Sequence, residues 1–322
     1  MTPPLLASPP PSVAVEIAPR QLAAAVIAAQ GDRLTVTAHA VEPLPPGVVI
    51  PALNTTNITD PPAVAKALAR VFARLGARPR AVALAIPDSA AKISLMRFEK
   101  VPPRAGDFDQ LVRWQMRKSA PFKMDEALVS CIPGPSSDAG PREFVVVAAR
   151  RDIVREYEAA VEAAGAQAGI VDVTTLNVIN AVLAAPTPPR GDWLLVHVTS
   201  DYASIAIVRG DALVFFRNRS NEREGSLTDL VHQTAMYYED RLNGEGFARV
   251  VLAGAGLLAG DGTEPSPGAE HIRRALEERL DTQVEAVDPR GAAGLADRIS
   301  AGPELLDTLA PLVGLIVRER AC

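Results

Sequence analysis

Two stretches of the chain carry the same order of apolar and polar positions. Residues 13–27 run as an apolar segment, a polar residue, a short corner and a second apolar segment, and residues 194–208 repeat that order without a gap. Each pattern predicts a β-hairpin with a tight polar corner. The polar position before the corner is Glu16 in one copy and His197 in the other. A Gly-Asp pair follows each hairpin, Gly31-Asp32 and Gly210-Asp211, and turns the chain into a third strand, about Arg33 to Glu42 after the first. A doubled unit at this separation predicts one fold built from two similar halves that face each other.

The remaining periodicities fill in the first half. After a Pro-rich loop, Pro43 to Pro62, Thr59 or Asp60 caps a helix from Ala63 to Leu75. Val64, Leu68, Val71 and Leu75 share its inner face, and Gly76 stops it. Ala81 to Pro87 reads as a buried strand, so strand, helix and strand predict a layered α/β domain. Lys92 to Phe98 alternates as a further strand. Asp107 is read as the cap of a helix carrying Phe108, Leu111, Val112, Gln115 and Met116 inward. Ala120-Pro121-Phe122 is read as its end, because proline pushes the preceding residue out of the helical region. Ala127 to Ile132 and Glu143 to Ala149 form a hairpin pair across the loop Pro133 to Arg142. Asp152 caps a helix to Ala164, Gly165 ends it, and Ala168 to Val173 is again a strand. Residues 92–168 thus read as a small subdomain inserted into the first half.

Composition narrows the class. The 322 residues suffice for two cores, and at 48% hydrophobic but only 4% aromatic those cores are mostly Ala, Val and Leu. A net charge of −5 argues against a dedicated nucleic-acid binder. The Pro-rich start, residues 1–11, has no cationic opening and no apolar run, so it reads as a disordered tail and not a secretory leader. Leu305 to Val317 is the longest apolar stretch. It is too short to span a bilayer and is broken by Asp307 and Pro311. Cys131 and Cys322 offer neither metal-ligand spacing nor a disulfide framework. A soluble cytoplasmic protein is the expectation.

Several segments stand together in a familiar order: Gln115, Ala120-Pro121-Phe122 and Phe144-Val145-Val146-Val147-Ala148-Ala149-Arg150, then Ala164-Gly165 and Ile170-Val171-Asp172-Val173. Phe216-Arg217 before Gly225-Ser226-Leu227-Thr228, and the closing Pro311-Leu312-Val313-Gly314-Leu315-Ile316-Val317-Arg318, continue it. In this order and spacing, from Ser12 to Arg318, the chain resembles the type IV pilus assembly protein PilM family. That family is similar in fold to the cell-division protein FtsA. The resemblance implies a two-half actin-like (ribonuclease H-like) α/β fold with a small inserted α+β (SHS2-like) subdomain. It divides the chain into a first half at 12–91, the insert at 92–168, a return and linker at 169–190, a second half at 191–304 and a closing helix at 305–322 that packs back on the first half.

The resemblance also implies a cleft for ATP and Mg²⁺ between the two hairpins, with Glu16, Ala18, Thr199, Ser200, Gly225, Gly254 and Gly256 at the cofactor positions. Its partner is the cytoplasmic tail of an inner-membrane PilN-like protein, held in a groove between the insert and the first half. Trp114 and Phe122 are assigned to that tail, although for both, as for Phe108, a core position stays open. The chain is then a scaffold or adaptor at the cytoplasmic side of the inner membrane. The phosphate end departs from the family pattern. Where the family has Asp-Ile-Gly in each hairpin, this chain has Glu16-Ile17-Ala18 followed by Pro19, which has no N–H, and His197-Val198-Thr199. Imidazole is a poor Mg²⁺ ligand, though the hydroxyls of Thr199 and Ser200 can donate to phosphate. ATP/Mg is therefore a doubtful cofactor, no catalytic residue is assigned, and the expectation is a binding protein without significant turnover.

Further readings rest on particular residues. Val250 to Gly256 is either an adenosine contact or a close-packed turn after a strand. An active ATPase or sugar-kinase-type phosphotransferase needs a catalytic acid and an intact Mg²⁺ site, which the hairpins lack. A dinucleotide fingerprint at Gly254, Gly256 and Gly260 has its last glycine one place late, and Gly260 to Gly268 reads as a loop rather than a helix start. Arg97, Lys100, Arg104, Arg113, Arg117, Lys118 and Lys123 make the insert locally basic, either as a solvated face or as a surface for anionic lipid or an acidic partner.

Overall fold

The computed structural model describes residues 11–31, 33–134, 141–188, 190–221, 225–258 and 268–321. The expectations for the 1–11 tail, most of the 260–268 loop, the tip of the 133–142 loop and Cys322 fall outside them. The first half opens as an antiparallel meander of β1 (Val13–Ile17), β2 (Gln21–Gln30) and β3 (Arg33–Pro43). Helix α1 (Pro61–Leu75) then returns the chain to β4 (Ala81–Ile86), parallel to β1. The insert follows as β5 (Lys92–Phe98), α2 (Ala105–Met116), β6 (Ala127–Pro133) and β7 (Arg142–Arg150). After α3 (Arg151–Ala163), β8 (Gln167–Val173) pairs in parallel with β4, and α4 (Thr174–Leu183) leads across to the second half.

There the plan repeats. Strands β9 (Asp192–Val198), β10 (Tyr202–Arg209) and β11 (Ala212–Ser220) form the second antiparallel meander. Helix α5 (Leu227–Leu242) precedes β12 (Arg249–Ala253), which is parallel to β9 as β4 is to β1. Helix α6 (Ala269–Leu280), β13 (Val284–Ala286), β14 (Gly294–Leu295) and α7 (Pro303–Ala321) complete the chain. The strands form a six-stranded sheet in the order β14-β3-β2-β1-β4-β8, a five-stranded sheet β11-β10-β9-β12-β13, and a three-stranded sheet β5-β7-β6.

The caps of α1 follow the sequence. Asp60 Oδ1 accepts from the Ala63 amide at 3.0 Å, and Gly76 closes the helix at φ 64°, a left-handed conformation that suits glycine. Two other cap expectations need correction. Asp107 and Asp152 lie inside the first turns of α2 and α3, behind Arg104 and Arg150, and neither serves as the cap residue. An acidic side chain in the first turn is favoured by the helix dipole even when it makes no capping bond, so the two roles look alike in sequence. Helix α2 also ends at Met116, before Ala120-Pro121-Phe122, in a turn through Arg117–Ser119.

The two faces of the first sheet differ in side-chain size. Val13, Val15 and Ile17 face α1 and α3, packing with Val64, Leu68, Val71, Tyr157 and Val161. The opposite face presents Ala14, Ala23, Ala25, Ala83 and Ala85, which admit α7 through Leu309, Leu312, Val313 and Ile316. Helix α7 continues unbroken through Pro311 and crosses α4 so closely that a Cβ on Gly314 would sit 1.7 Å from the Asn177 carbonyl oxygen. Helix α4 itself has no counterpart in the sequence reading, which left 169–190 as return and linker. The outer face of the second sheet packs under α5 and α6, and Trp193 on β9 is fully buried.

The three-stranded sheet is covered on one face by α2, through Met96, Phe98, Val112, Met116, Phe144 and Val146. Helix α3 belongs to the first half. Glu156 Oε2 accepts from the amides of Asn57 and Ile58 at 2.7 and 3.0 Å, and the Tyr157 hydroxyl donates to Asn57 Oδ1 at 3.0 Å. By hydrogen bonding the insert therefore ends at Arg150, and not at 168, because β8 is a strand of the six-stranded sheet.

Candidate functional site

Two regions are built by the meeting of these sheets: a buried polar junction between the halves, and a groove beside the insert. The junction centres on Asp88, in the turn after β4, a residue the sequence reading did not single out. Its carboxylate accepts from the Thr175 amide at 2.9 Å, from the Ser204 hydroxyl at 2.6 Å and from the Thr175 hydroxyl. Since the Thr175 hydroxyl is spent on Asp88, His197 Nδ1, 2.7 Å from Thr175 Oγ1, is placed as the donor to it. On the other side Ser89 donates to Asn218 at 3.2 Å, and Asn218 donates to Ser204 at 2.9 Å. The Asp88 amide donates to the Tyr202 hydroxyl at 3.3 Å. A directed chain thus runs from both sides into one carboxylate, joining β4 and α4 to β9, β10 and β11. Glu16, Asp88, Thr174, Thr175, His197 and Ser204 are all buried.

Burial sets the ionisation of this cluster. Desolvation pushes Glu16 up to about 7, with the Thr174 hydroxyl at 3.1 Å pulling the other way and the charge of Asp88 adding to the rise. Desolvation lowers His197, against the opposing pull of Asp88. An unfolded Glu16 titrates near 4.5, so between there and about 7 the folded state holds a proton that the unfolded chain has lost. That contribution is full below the unfolded value and disappears as pH rises through about 7. We expect Glu16→Gln to lose less stability than the parent between about pH 5 and about pH 8, by an amount on the order of 3 kcal/mol. Urea unfolding at the two pH values checks this, and parallel losses in both proteins would contradict it.

Of the positions assigned to a nucleotide, Glu16 lies in this junction, and several of the others have donors engaged within the protein. The Ala18 amide donates to the Gln21 carbonyl at 3.0 Å and closes its own corner. The Thr199 amide and hydroxyl both reach the Tyr202 carbonyl, at 2.9 and 3.0 Å, and the Ser200 hydroxyl donates to Asp201. Gly225, at φ 103°, accepts on its carbonyl from Arg219 at 3.0 Å. Gly254 and Gly256 do lie on a close-packed turn, and their amides donate to the two carboxylate oxygens of Asp307 at 2.8 and 2.7 Å. A Cβ on Gly254 would meet the Val198 carbonyl oxygen at 2.1 Å, so this glycine answers to packing between β12 and the second hairpin. An acid from α7 thus takes the amide donors of this turn. The amides of Ala18, Thr199, Gly254 and Gly256 and the hydroxyls of Thr199 and Ser200 thus have acceptors within the protein, and His197, a poor Mg²⁺ ligand, stands beside the carboxyl groups of Glu16 and Asp88.

The groove lies between β6 and β8, each an edge strand of its own sheet. It encloses about 380 Å³, walled by Leu128, Ser130 and Ile132 of β6, by Ala168, Val171 and Asp172 of β8, and by Val147 and Val154 behind. Leu128 and Ile132 are 39% and 37% exposed, high for large aliphatic side chains on a strand. At the far end Arg318 of α7 pairs with Asp172, whose carboxyl burial raises despite the guanidinium beside it.

Neither Trp114 nor Phe122 lines this groove. Trp114 projects from the outer side of α2 at 57% exposure, with the Lys118 amine 5.0 Å over its ring. Phe122 packs against the α2 side of the three-stranded sheet, the face away from the groove. Of the basic cluster, Arg113 bonds Asp109 at 2.7 Å, Arg117 lies 3.6 Å from Asp125 and Lys123 lies 3.8 Å from Glu126. The signal that marks the groove was the alternation of β6, which turns Leu128, Ser130 and Ile132 away from the α2 core.

Comparison with known proteins agrees with this architecture. The model of the family "Type IV pilus assembly protein PilM" matches residues 14–241. Among solved structures, the chain resembles one from a PilM-PilN type IV pilus biogenesis complex, with a TM-score of 0.76 at 19% identity over 94% of this chain and 98% of that one. A Bacteroides thetaiotaomicron protein of actin-like ATPase fold and unknown function aligns at TM-score 0.48 and 10% identity, over 87% and 91% of the two chains. The cytoplasmic domain of EpsL, an inner-membrane component of the Vibrio cholerae type II secretion system, aligns at 0.44 and 14%, over 84% and 95%. Among the described residues, no helix is long and apolar enough to cross a membrane. With its doubled meander and this match over most of its length, the chain has the actin-like fold and belongs to the type IV pilus assembly protein PilM family.

Proposed function

We propose that this protein is an adaptor of pilus machinery that holds the cytoplasmic tail of a PilN-like inner-membrane protein in the groove between β6 and β8. The observation that carries this reading is the pair of facing edge strands. Among the described residues neither has a strand partner on its groove side, so each offers backbone N–H and C=O groups there, and aliphatic side chains form much of the wall between them. An extended segment laid there gains main-chain hydrogen bonds from the edges and seats alternate side chains against Leu128, Ile132 and Val171. The solved relative in a PilM-PilN complex supports the same partner class.

The test is binding of a synthetic peptide carrying the tail of the PilN-like protein from the same genome. Ile132→Asp places a charge in the apolar wall and is expected to weaken binding by about thirtyfold or more, a cost of about 2 kcal/mol. Trp114→Ala should leave affinity unchanged. Equal binding by Ile132→Asp and parent would count against the groove.

In this reading the cleft between the hairpins is degenerate and the protein acts by binding, at the cytoplasmic side of the inner membrane. The engaged amides at Ala18, Gly254 and Gly256 support that view. We expect phosphate release from Mg-ATP to stay at the buffer rate. Sustained release that Glu16→Gln abolishes would favour an active ATPase instead.

A further inference from the structure

We propose that the apolar chamber beyond the groove, between α4, the β10–β11 turn and the end of α7, is a second seat for the same partner segment, so that a bound tail touches both halves. This rests on the reading that the β6–β8 groove takes that tail. The chamber encloses about 530 Å³ and is walled by Leu176, Ile179 and Leu183 of α4, by Ala212 and Leu213 of β11, and by Val317 of α7. It shares Ile132, Asp172 and Arg318 with the groove, so the two cavities form one trough narrowed at the Arg318–Asp172 pair.

Continuity fixes the occupant. Strands β6 and β8 both reach the narrowing near their C-terminal ends, at Ile132 and Asp172, so an extended segment following either edge is delivered to the chamber mouth. Such a segment advances about 3.3 Å per residue and turns alternate side chains to the same wall. The walls named above are aliphatic, and Asn180 and Asp211 add polar groups to the lining. The side chain that fits is therefore bulky and apolar, aliphatic or aromatic. Ala212 and Leu213 belong to the second meander, whereas the groove is built by the insert and the first half. A segment seated in both is a strap across the two halves, and its affinity then depends on their relative position.

Hydrogen exchange with the full-length tail peptide of the PilN-like protein is the first test. The expected result is slowed exchange at residues 210–213 as well as along β6 and β8. Protection confined to β6 and β8, with the peptide bound, would overturn the second seat while leaving the groove intact. Ala212→Trp, which fills the chamber from an edge strand, should weaken the peptide by at least about tenfold. An unchanged affinity in a variant that retains the parent's thermal transition would also overturn the proposal. If the peptide fails to bind the native protein at all, the groove reading itself falls, and the second seat with it.

Discussion

Gly314→Ala is expected to destabilise the protein by more than about 4 kcal/mol, or to prevent its accumulation as a soluble chain. In an ordinary helix interior the same change gains up to about 1 kcal/mol, because alanine is the better helix former. Here the sign reverses. The new Cβ would lie 1.7 Å from the carbonyl oxygen of Asn177, 2.6 Å from its carbon and 3.0 Å from the Ala181 nitrogen, all of them backbone atoms of α4. No rotamer relieves a clash with backbone, so α4 and α7 must move apart. Both helices are pinned, α7 on the alanine face of the first sheet and α4 by the bonds of Thr175 to Asp88. With about 2.1 cal/mol/K of unfolding entropy per residue, a 322-residue chain loses about 1.5 °C per kcal/mol, so the melting temperature should fall by about 6 °C or more. A rise, as helix propensity alone would give, would show that the two helices do not meet as described.

Asp88→Ala is expected to cost about 3–5 kcal/mol. The carboxylate is the common acceptor for the Thr175 amide and for the hydroxyls of Thr175 and Ser204. Its removal strands those donors where water has little access, at about 1–3 kcal/mol for each unsatisfied group. It also cuts the carboxylate bridge between Thr175 of α4 and Ser204 of β10, leaving residue 88 bonded to β10 through its backbone amide on the Tyr202 hydroxyl. Asp88→Asn keeps the shape and one carbonyl oxygen, so it should fall between parent and alanine. Urea unfolding orders the three proteins. An alanine variant within about 1 kcal/mol of the parent would mean that the junction contributes little to holding the halves together.

How much of this was legible in the sequence depends on the kind of contact. The two meanders announced themselves because each hairpin is a local pattern, with its partner a few residues away. The caps of α1 were legible for the same reason, through Asp60 and Gly76. Helix α4 was not. Leu176, Val178, Ile179, Ala181 and Val182 are all buried, so no polar face interrupts the apolar run, and the period that marks a helix never appears. Asp88 and Asp307 were hidden by distance along the chain. Asp88 meets Thr175 and Ser204, and Asp307 meets the amides of Gly254 and Gly256, and nothing near either acid signals a partner. The glycine turn could be read either as an offer of donors or as close packing, because the acid that takes its amides arrives from α7. For Trp114, size and hydrophobicity mark an anchor, and its exposed place on α2, outside both the core and the groove, depends on packing that no local pattern shows.

The same tryptophan gives the molecule an optical handle. The chain has two tryptophans. Trp193 is sealed inside β9, whereas Trp114 stands in solvent beneath the Lys118 amine. The first should emit at short wavelength and resist collisional quenchers such as acrylamide, and the second should emit to the red and be readily quenched. A single emission spectrum therefore separates into a signal from the insert and a signal from the core of the second half. Motion or unfolding of either unit can be followed without attaching a dye.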